Sequence, residues 1–130
     1  MKTWIIVAMA AAALGAAPAG AQARPQALKR TILQTFDVPA GSYQTMIGIS
    51  EIGPDDNGGR QSHPGPEAGY VLAGSGTIVI EGRPPLKLAA GQSYKLAAGI
   101  VHEVRGGPKG VKLLVTWVVQ KGQPLDAPVR

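Results

Sequence analysis

The chain has 130 residues, with 13 Lys and Arg against 8 Asp and Glu, a formal charge of +5, no cysteine, and two histidines, His63 and His102. The basic residues are scattered singly rather than gathered into a stripe with stacking aromatics, so a nucleic-acid binder is excluded and the charge reads as an ordinary basic surface. Without cysteine there is neither a disulfide framework nor a thiolate ligand, and any metal site must be built from nitrogen and oxygen donors.

At the amino terminus, Lys2 precedes an uncharged stretch from Thr3 to Gly20, and Ala19-Gly20-Ala21 has the small-residue spacing of a signal-peptidase site. Residues 1–21 read as a cleaved secretory signal, with cleavage after Ala21 or Ala23, which places the mature protein in the periplasm or outside the cell. The apolar core from Trp4 to Ala17 is shorter than the roughly 20 residues of a spanning helix, so no membrane association is expected after cleavage. Residues 22–130 remain, about 109 residues, which is one domain with a single core.

Eighteen glycines and eleven prolines punctuate short runs rich in Val, Ile, Leu and Thr, the pattern of many short strands joined by turns. The segment from Ala23 to Lys29 has no period and reads as a mobile lead. Strands are predicted at Thr31 to Val38, Tyr43 to Ile52, Gly69 to Ala73, Gly76 to Glu81, Leu86 to Leu88, Ser93 to Leu96, His102 to Arg105 and Val111 to Gln120. Turns are predicted at Pro39-Ala40-Gly41, at the solvated Asp55-Asp56-Asn57-Gly58-Gly59 with its hairpin-type Asn57-Gly58 pair, at Gly82 to Pro85, at Ala90-Gly91 and at Gly106-Gly107-Pro108. In the last strand Val111, Leu113, Val115, Trp117 and Val119 form an unbroken apolar face that should meet the core. Thr77 to Ile80 is apolar on both faces, as in a strand buried between layers or at an oligomer interface. The tail from Lys121 to Arg130 should run irregularly along the surface. About eight strands in so small a domain point to an all-β sandwich or closed barrel.

Histidine and carboxylate are the usual protein ligands of divalent iron, manganese, nickel and zinc. Gln61 and His63, two apart on an extended segment, project from one side. Glu67 follows the bend at Pro64-Gly65-Pro66, which can turn its carboxylate back toward His63, and a barrel would bring His102 in from a distant strand. Neighbouring residues are assigned blander roles. Glu103 should face away from His102, Tyr70, Tyr94 and Trp117 should pack, Arg60 should lie on the surface, and Gly74, Gly91 and Gly99 should serve tight turns.

These two segments resemble the motifs of the small single-domain cupins of the type-2, conserved-barrel kind, here as a bacterial exported member. The first family motif, G-x5-H-x-H-x3,4-E-x6-G, is matched by His63, Glu67 and Gly74. The second, G-x5-P-x-G-x2-H-x3-N, is matched by Gly91, Gly99 and His102. Gln61 stands in place of the first motif histidine, Ala97 in place of the proline, Gly106 in place of the asparagine and Asp55 in place of the opening glycine. The resemblance spans residues 29 to 125 and implies a double-stranded β-helix, or jelly-roll barrel. It implies a divalent metal (Fe, Mn, Ni or Zn) held by His63, Glu67 and His102, with Gln61 either a weak fourth ligand or the mark of a weakened or lost site. A small organic ligand in the barrel mouth is expected, as is a homodimer of the kind common among cupins. If the protein is catalytic, oxygenase, isomerase and decarboxylase chemistry are the alternatives; if not, it is a small-molecule-binding barrel.

Overall fold

A computed structural model describes residues 27–129; the signal-peptide reading of residues 1–21 and its cleavage position lie outside the described residues. Among the described residues every regular element is a strand: β1 (Leu28–Asp37), β2 (Tyr43–Ile52), β3 (Glu67–Ile80), β4 (Leu86–Ala89), β5 (Ser93–Leu96) and β6 (His102–Gln120). All pairings are antiparallel, in the order β1-β2-β6-β3-β4, with β5 on β3.

Six strands appear where about eight were predicted, because two pairs of predicted strands are single elements. The segments 69–73 and 76–81 join as β3, and 102–105 and 111–120 join as β6, through glycines that in sequence look like breaks. Gly74 and Gly110 take left-handed φ values of 74° and 73°, so the paired strands bend together instead of ending. Their register passes from Gly74↔Val111 to Gly76↔Gly106, leaving residues 107–110 looped out opposite Ser75.

That shared bend makes two sheets from one hydrogen-bonded ladder. On one side of it, the start of β3 and the end of β6 lie between β5 and the β2–β1 hairpin. On the other, the end of β3 and the start of β6 lie between β4 and an extended segment around residues 57–61, through Asn57↔Arg105 and Gln61↔His102. The two sheets close over one core in the jelly-roll manner. Val111, Leu113, Val115, Trp117 and Val119 are all buried in it, together with Val71, Ile78, Leu88 and Val104. Thr77, Val79 and Ile80, beside the buried Ile78, are half-buried.

Other expectations shift at their edges. β1 starts at Leu28, which is buried, so the lead predicted as far as Lys29 is partly strand. The loop at 55–59 is solvated, but Gly58 N–H donates to the Val104 carbonyl, so Asn57-Gly58 flanks β6 and closes no hairpin. The tail is irregular, yet it crosses the barrel mouth: Leu125 packs on the core and Ala127 N–H donates to the Ser62 carbonyl. Gly106 does more than turn the chain, since a Cβ there would overlap the Gly53 carbonyl. Asp55, at the family's opening-glycine position, keeps a left-handed φ of 53°, which aspartate tolerates better than most residues.

On the outer face of the first sheet, Ile49 and Tyr70 both pair with Leu114, beside Ile47, Thr116 and Val118. This face is only half covered, with Tyr70, Leu72 and Phe36 exposed, and the Glu51 carboxylate lies near Lys29 and Lys112 at its rim.

The bend that delivers Glu67 depends on Gly65, where a Cβ would overlap the Val118 carbonyl while Pro66 accepts the Val118 N–H at 3.1 Å. Gly65→Ala is therefore expected to destabilise the fold by about 1–3 kcal/mol, as overpacking does, measured by urea unfolding. Wild-type stability in that variant would show that the bend is not held against β6.

Candidate metal centre

The three motif residues arrive from separate parts of the chain. His63 sits on the loop before β3, Glu67 is the first residue of β3, and His102 is the first residue of β6. Reciprocal backbone hydrogen bonds of 2.9 Å tie Gln61 to His102, and Gly99 N–H donates to the His63 carbonyl at 2.8 Å. All three side chains are buried, and their candidate ligand atoms lie within 4.8 Å of one another.

Both rings are oriented by their far nitrogens. His63 Nδ1 lies 2.9 Å from the Leu125 carbonyl and His102 Nδ1 lies 3.0 Å from the Ile100 carbonyl. A carbonyl only accepts, so each Nδ1 carries the ring hydrogen and each neutral ring presents a lone pair at Nε2. Burial, the largest influence on His102, pushes its imidazole below the ordinary value and so favours that neutral form. Both Nε2 atoms are buried and lack a hydrogen-bond partner.

Glu67 Oε2 stands 2.9 Å from His63 Nε2 and 3.8 Å from His102 Nε2. The shorter approach lacks the direction of a hydrogen bond; with Nδ1 protonated it sets a lone pair against a carboxylate. Three electron-rich atoms converging in a dry interior repel one another unless a cation lies between them. Ligand atoms about 2.1 Å from a shared centre would stand about 3.0 to 3.4 Å apart, for octahedral or tetrahedral edges. The observed separations bracket that range. Backbone carbonyls behind each imidazole are also the usual support of metal-bound histidines.

The carboxylate is held independently of the histidines. Tyr94 donates its hydroxyl to Glu67 Oε1 at 2.6 Å, and Trp117 donates Nε1–H to Oε2 at 2.9 Å. A carboxylate oxygen has two lone pairs, so Oε2 can take the indole and still face the imidazoles. Burial pushes the Glu67 carboxyl up, while either imidazole, whenever it carries a proton at Nε2, and the Tyr94 hydroxyl pull it down, so that the group lies below the ordinary carboxylate range. Tyr94, buried beside that anion, is pushed far upward and keeps its proton. Its ring lies across Gly69, where any Cβ would overlap it.

Gln61 adjoins this cluster, with its carbonyl oxygen accepting from Arg30 Nη2 at 2.8 Å. Arg30 lies over the Trp117 ring, 5.2 Å from its centroid, and bonds both Asp126 oxygens through Nη1. Glu103 pairs with Arg105, and Arg60 pairs with Glu81 while also lining a cavity beside Gln61. Sequence reasoning missed Arg30 and Asp126, and assigned Tyr94 and Trp117 to packing alone. The polar ends of those two aromatics carried a signal, since a buried indole or phenol needs a partner and Glu67 was the one inward acid.

Tyr94→Phe keeps the ring and removes one donor from a buried carboxylate. A loss of about 1–3 kcal/mol in unfolding free energy is expected. An unchanged unfolding midpoint would mean that Oε1 finds another donor.

A sequence profile of the cupin domain matches residues 48–119, which include both motifs and all three converging residues. No curated protein matches the sequence. Among solved structures, a cupin-2 domain protein from Rhodospirillum rubrum superposes with a TM-score of 0.61 at 15% identity, over 81% of this chain and 67% of the other. A DMSP lyase from Ruegeria pomeroyi gives a TM-score of 0.58 at 22% identity over 64% of this chain; only 42% of the lyase is covered, so the chain spans well under half its length. An oxalate decarboxylase variant from Bacillus subtilis gives 0.58 at 15% identity, over 65% of this chain and 24% of the enzyme. At these identities the structural likenesses speak for the fold. Together with a sequence match over more than half its length, they show that the chain belongs to the cupin family.

Proposed function

We propose that the protein is an exported cupin that holds one divalent metal through His63, Glu67 and His102 and offers the remaining coordination positions to a small organic ligand. The observation that carries this reading is the pair of buried, partnerless Nε2 atoms facing one carboxylate, each ring locked by a backbone carbonyl behind it. Fe(II), Mn(II), Ni(II) and Zn(II) all accept two imidazoles and a carboxylate. When bound, such a metal supplies Lewis acidity to an oxygen of the ligand. Trp117 and Tyr94 fix the carboxylate, Leu125 and Ile100 fix the imidazoles, and the closed core excludes water. Gln61 could serve as a fourth, weak donor once its carbonyl leaves Arg30.

Oxidation, isomerisation and decarboxylation remain the reaction classes open to this site, and the fold does not choose among them. Lyase and decarboxylase names among the structural neighbours support small-molecule chemistry in general. Non-catalytic capture of a small molecule is favoured by one observation: Leu125 and Asp126 of the tail cover the mouth and engage His63 and Arg30. The leader, with Lys2, an uncharged stretch and its Ala19-Gly20-Ala21 site, supports export. The half-exposed apolar face around Leu114 supports a homodimer.

Protein purified in native buffer is expected to contain about one metal per chain, measured by elemental analysis, and His63→Ala or His102→Ala should each weaken binding by at least about 100-fold. Metal-free protein whose melting temperature ignores added Fe(II), Mn(II), Ni(II) and Zn(II) would defeat the reading. Gln61→His restores an imidazole and should tighten metal binding, seen by competition with a chelator; no gain would mean that position 61 does not reach the metal. Sedimentation should give a dimer that Leu114→Lys converts to monomer, and a monomeric wild type would remove the proposed interface.

A further inference from the structure

Arg30 has a structural setting that the metal site does not explain. Its side chain is 16% exposed and lies over the Trp117 ring, and its Nε atom is buried with no hydrogen-bond partner. Leaving a guanidinium nitrogen unsatisfied in a largely buried setting is costly, and a buried arginine is usually matched by an anion presented to its fork. The anion present is Asp126, but it reaches Arg30 through Nη1 only, at 3.1 and 2.9 Å, while its Oδ1 also lies 3.4 Å from His63 Nδ1. That contact does not use the fork. Asp126 is itself 54% exposed and belongs to the irregular tail.

Beside this pair lies a cavity of about 430 Å³, lined by Arg30, Arg60, Gln61, Asp126, Gly58 and Val129. Two arginines and one aspartate line it, Arg30 being paired with that aspartate and Arg60 with Glu81. The cavity adjoins the metal centre through single side chains: Arg30 touches Gln61 and Trp117, and Trp117 donates to Glu67. It is large enough for a molecule of a few carbon atoms.

We propose that Arg30 recognises the carboxylate of a small organic acid, which enters this cavity and takes the guanidinium in place of Asp126, so that the carboxy-terminal tail is a built-in occupant of the ligand's subsite. This deepens the reading of the barrel mouth as a small-molecule site and names its substrate class. The incoming carboxylate gains a two-point contact with the fork that Asp126 does not make, and the exposed Asp126 contact that it displaces is weak. Gln61 is part of the same device. While its carbonyl stays on Arg30, a neutral amide oxygen accepts from the guanidinium without adding charge and ties it in place over Trp117.

The test is calorimetric titration of succinate into the full-length protein, both metal-free and loaded with Zn(II), with uncharged succinamide and inorganic phosphate as comparisons. Succinate is expected to bind in preference to both. Asp126→Ala should tighten succinate binding by about two- to fivefold, by removing the competing internal carboxylate. Arg30→Gln should weaken it by about tenfold or more, and Arg30→Lys, which keeps the charge but not the fork, should also weaken it. Zn(II) stoichiometry read on the same variants checks that the barrel is intact. A purely structural Arg30–Asp126 pair would make Asp126→Ala neutral or weaker for succinate, and that result overturns the proposal. So does equal binding of succinamide or phosphate, or an absence of succinate binding in Asp126→Ala. Succinate binding that follows Arg30 in a protein unable to take up Fe(II), Mn(II), Ni(II) or Zn(II) would defeat the metal reading and leave this one standing; metal uptake without it would do the reverse.

Discussion

The structure depends on keeping one carboxylate charged inside an apolar core. An ionised acid out of water is costly unless donors or a cation compensate it, and Glu67 has two buried donors and a pair of imidazoles placed to share a cation with it. Trp117 and Tyr94 donate to its two oxygens, and two imidazoles face Oε2. Each of these groups imposes a demand on the backbone. Tyr94 can reach across β3 only because Gly69 has no side chain, and Gly48 lets the Trp117 ring come close to β2. Gly65 allows the Pro64-Gly65-Pro66 bend to press on β6, which sets Glu67 at the start of β3. The glycines near the site are therefore conditions for holding the acid.

A second constraint is the paired bend of β3 and β6. A flat antiparallel pair of this length would leave one face of each strand open to water, whereas bending both at Gly74 and Gly110 folds the ladder over itself. His102 then begins β6 on one sheet while Trp117 lies near its end on the other, and the two meet at Glu67. The same closure leaves a mouth, and the tail crosses it. Leu125 orients His63 from outside while Asp126 engages Arg30, so the candidate metal centre and the neighbouring cavity share one cover.

Much of this was legible in the chain. The alternation of Val111, Leu113, Val115, Trp117 and Val119 identifies a core face because strand side chains have a period of two, and all five are buried. The motif spacing of His63, Glu67 and His102 anticipates a convergence that the fold delivers. Where the reading failed, it failed at glycine. Gly74 and Gly106-Gly107-Pro108 look like turns because glycine tolerates left-handed backbone, but the same tolerance, at Gly74 and Gly110, serves a bulge within a continuous strand. Local sequence does not distinguish the two, since the difference lies in whether the partner strand bends at the same level.

Arg30 and Asp126 mark the other boundary. Neither lies in a motif, and they stand 96 residues apart in the chain, one on the first strand and one in the tail. Composition, periodicity and motif spacing by themselves determine an all-strand domain with candidate nitrogen and oxygen ligands, because these depend on residue type and near-neighbour geometry. The tertiary structure alone decides that Trp117 and Tyr94 act as donors to Glu67, that Gln61 accepts from Arg30, and that the tail lies over the mouth. Those assignments depend on which distant side chains are desolvated together, and desolvation is a property of the closed barrel.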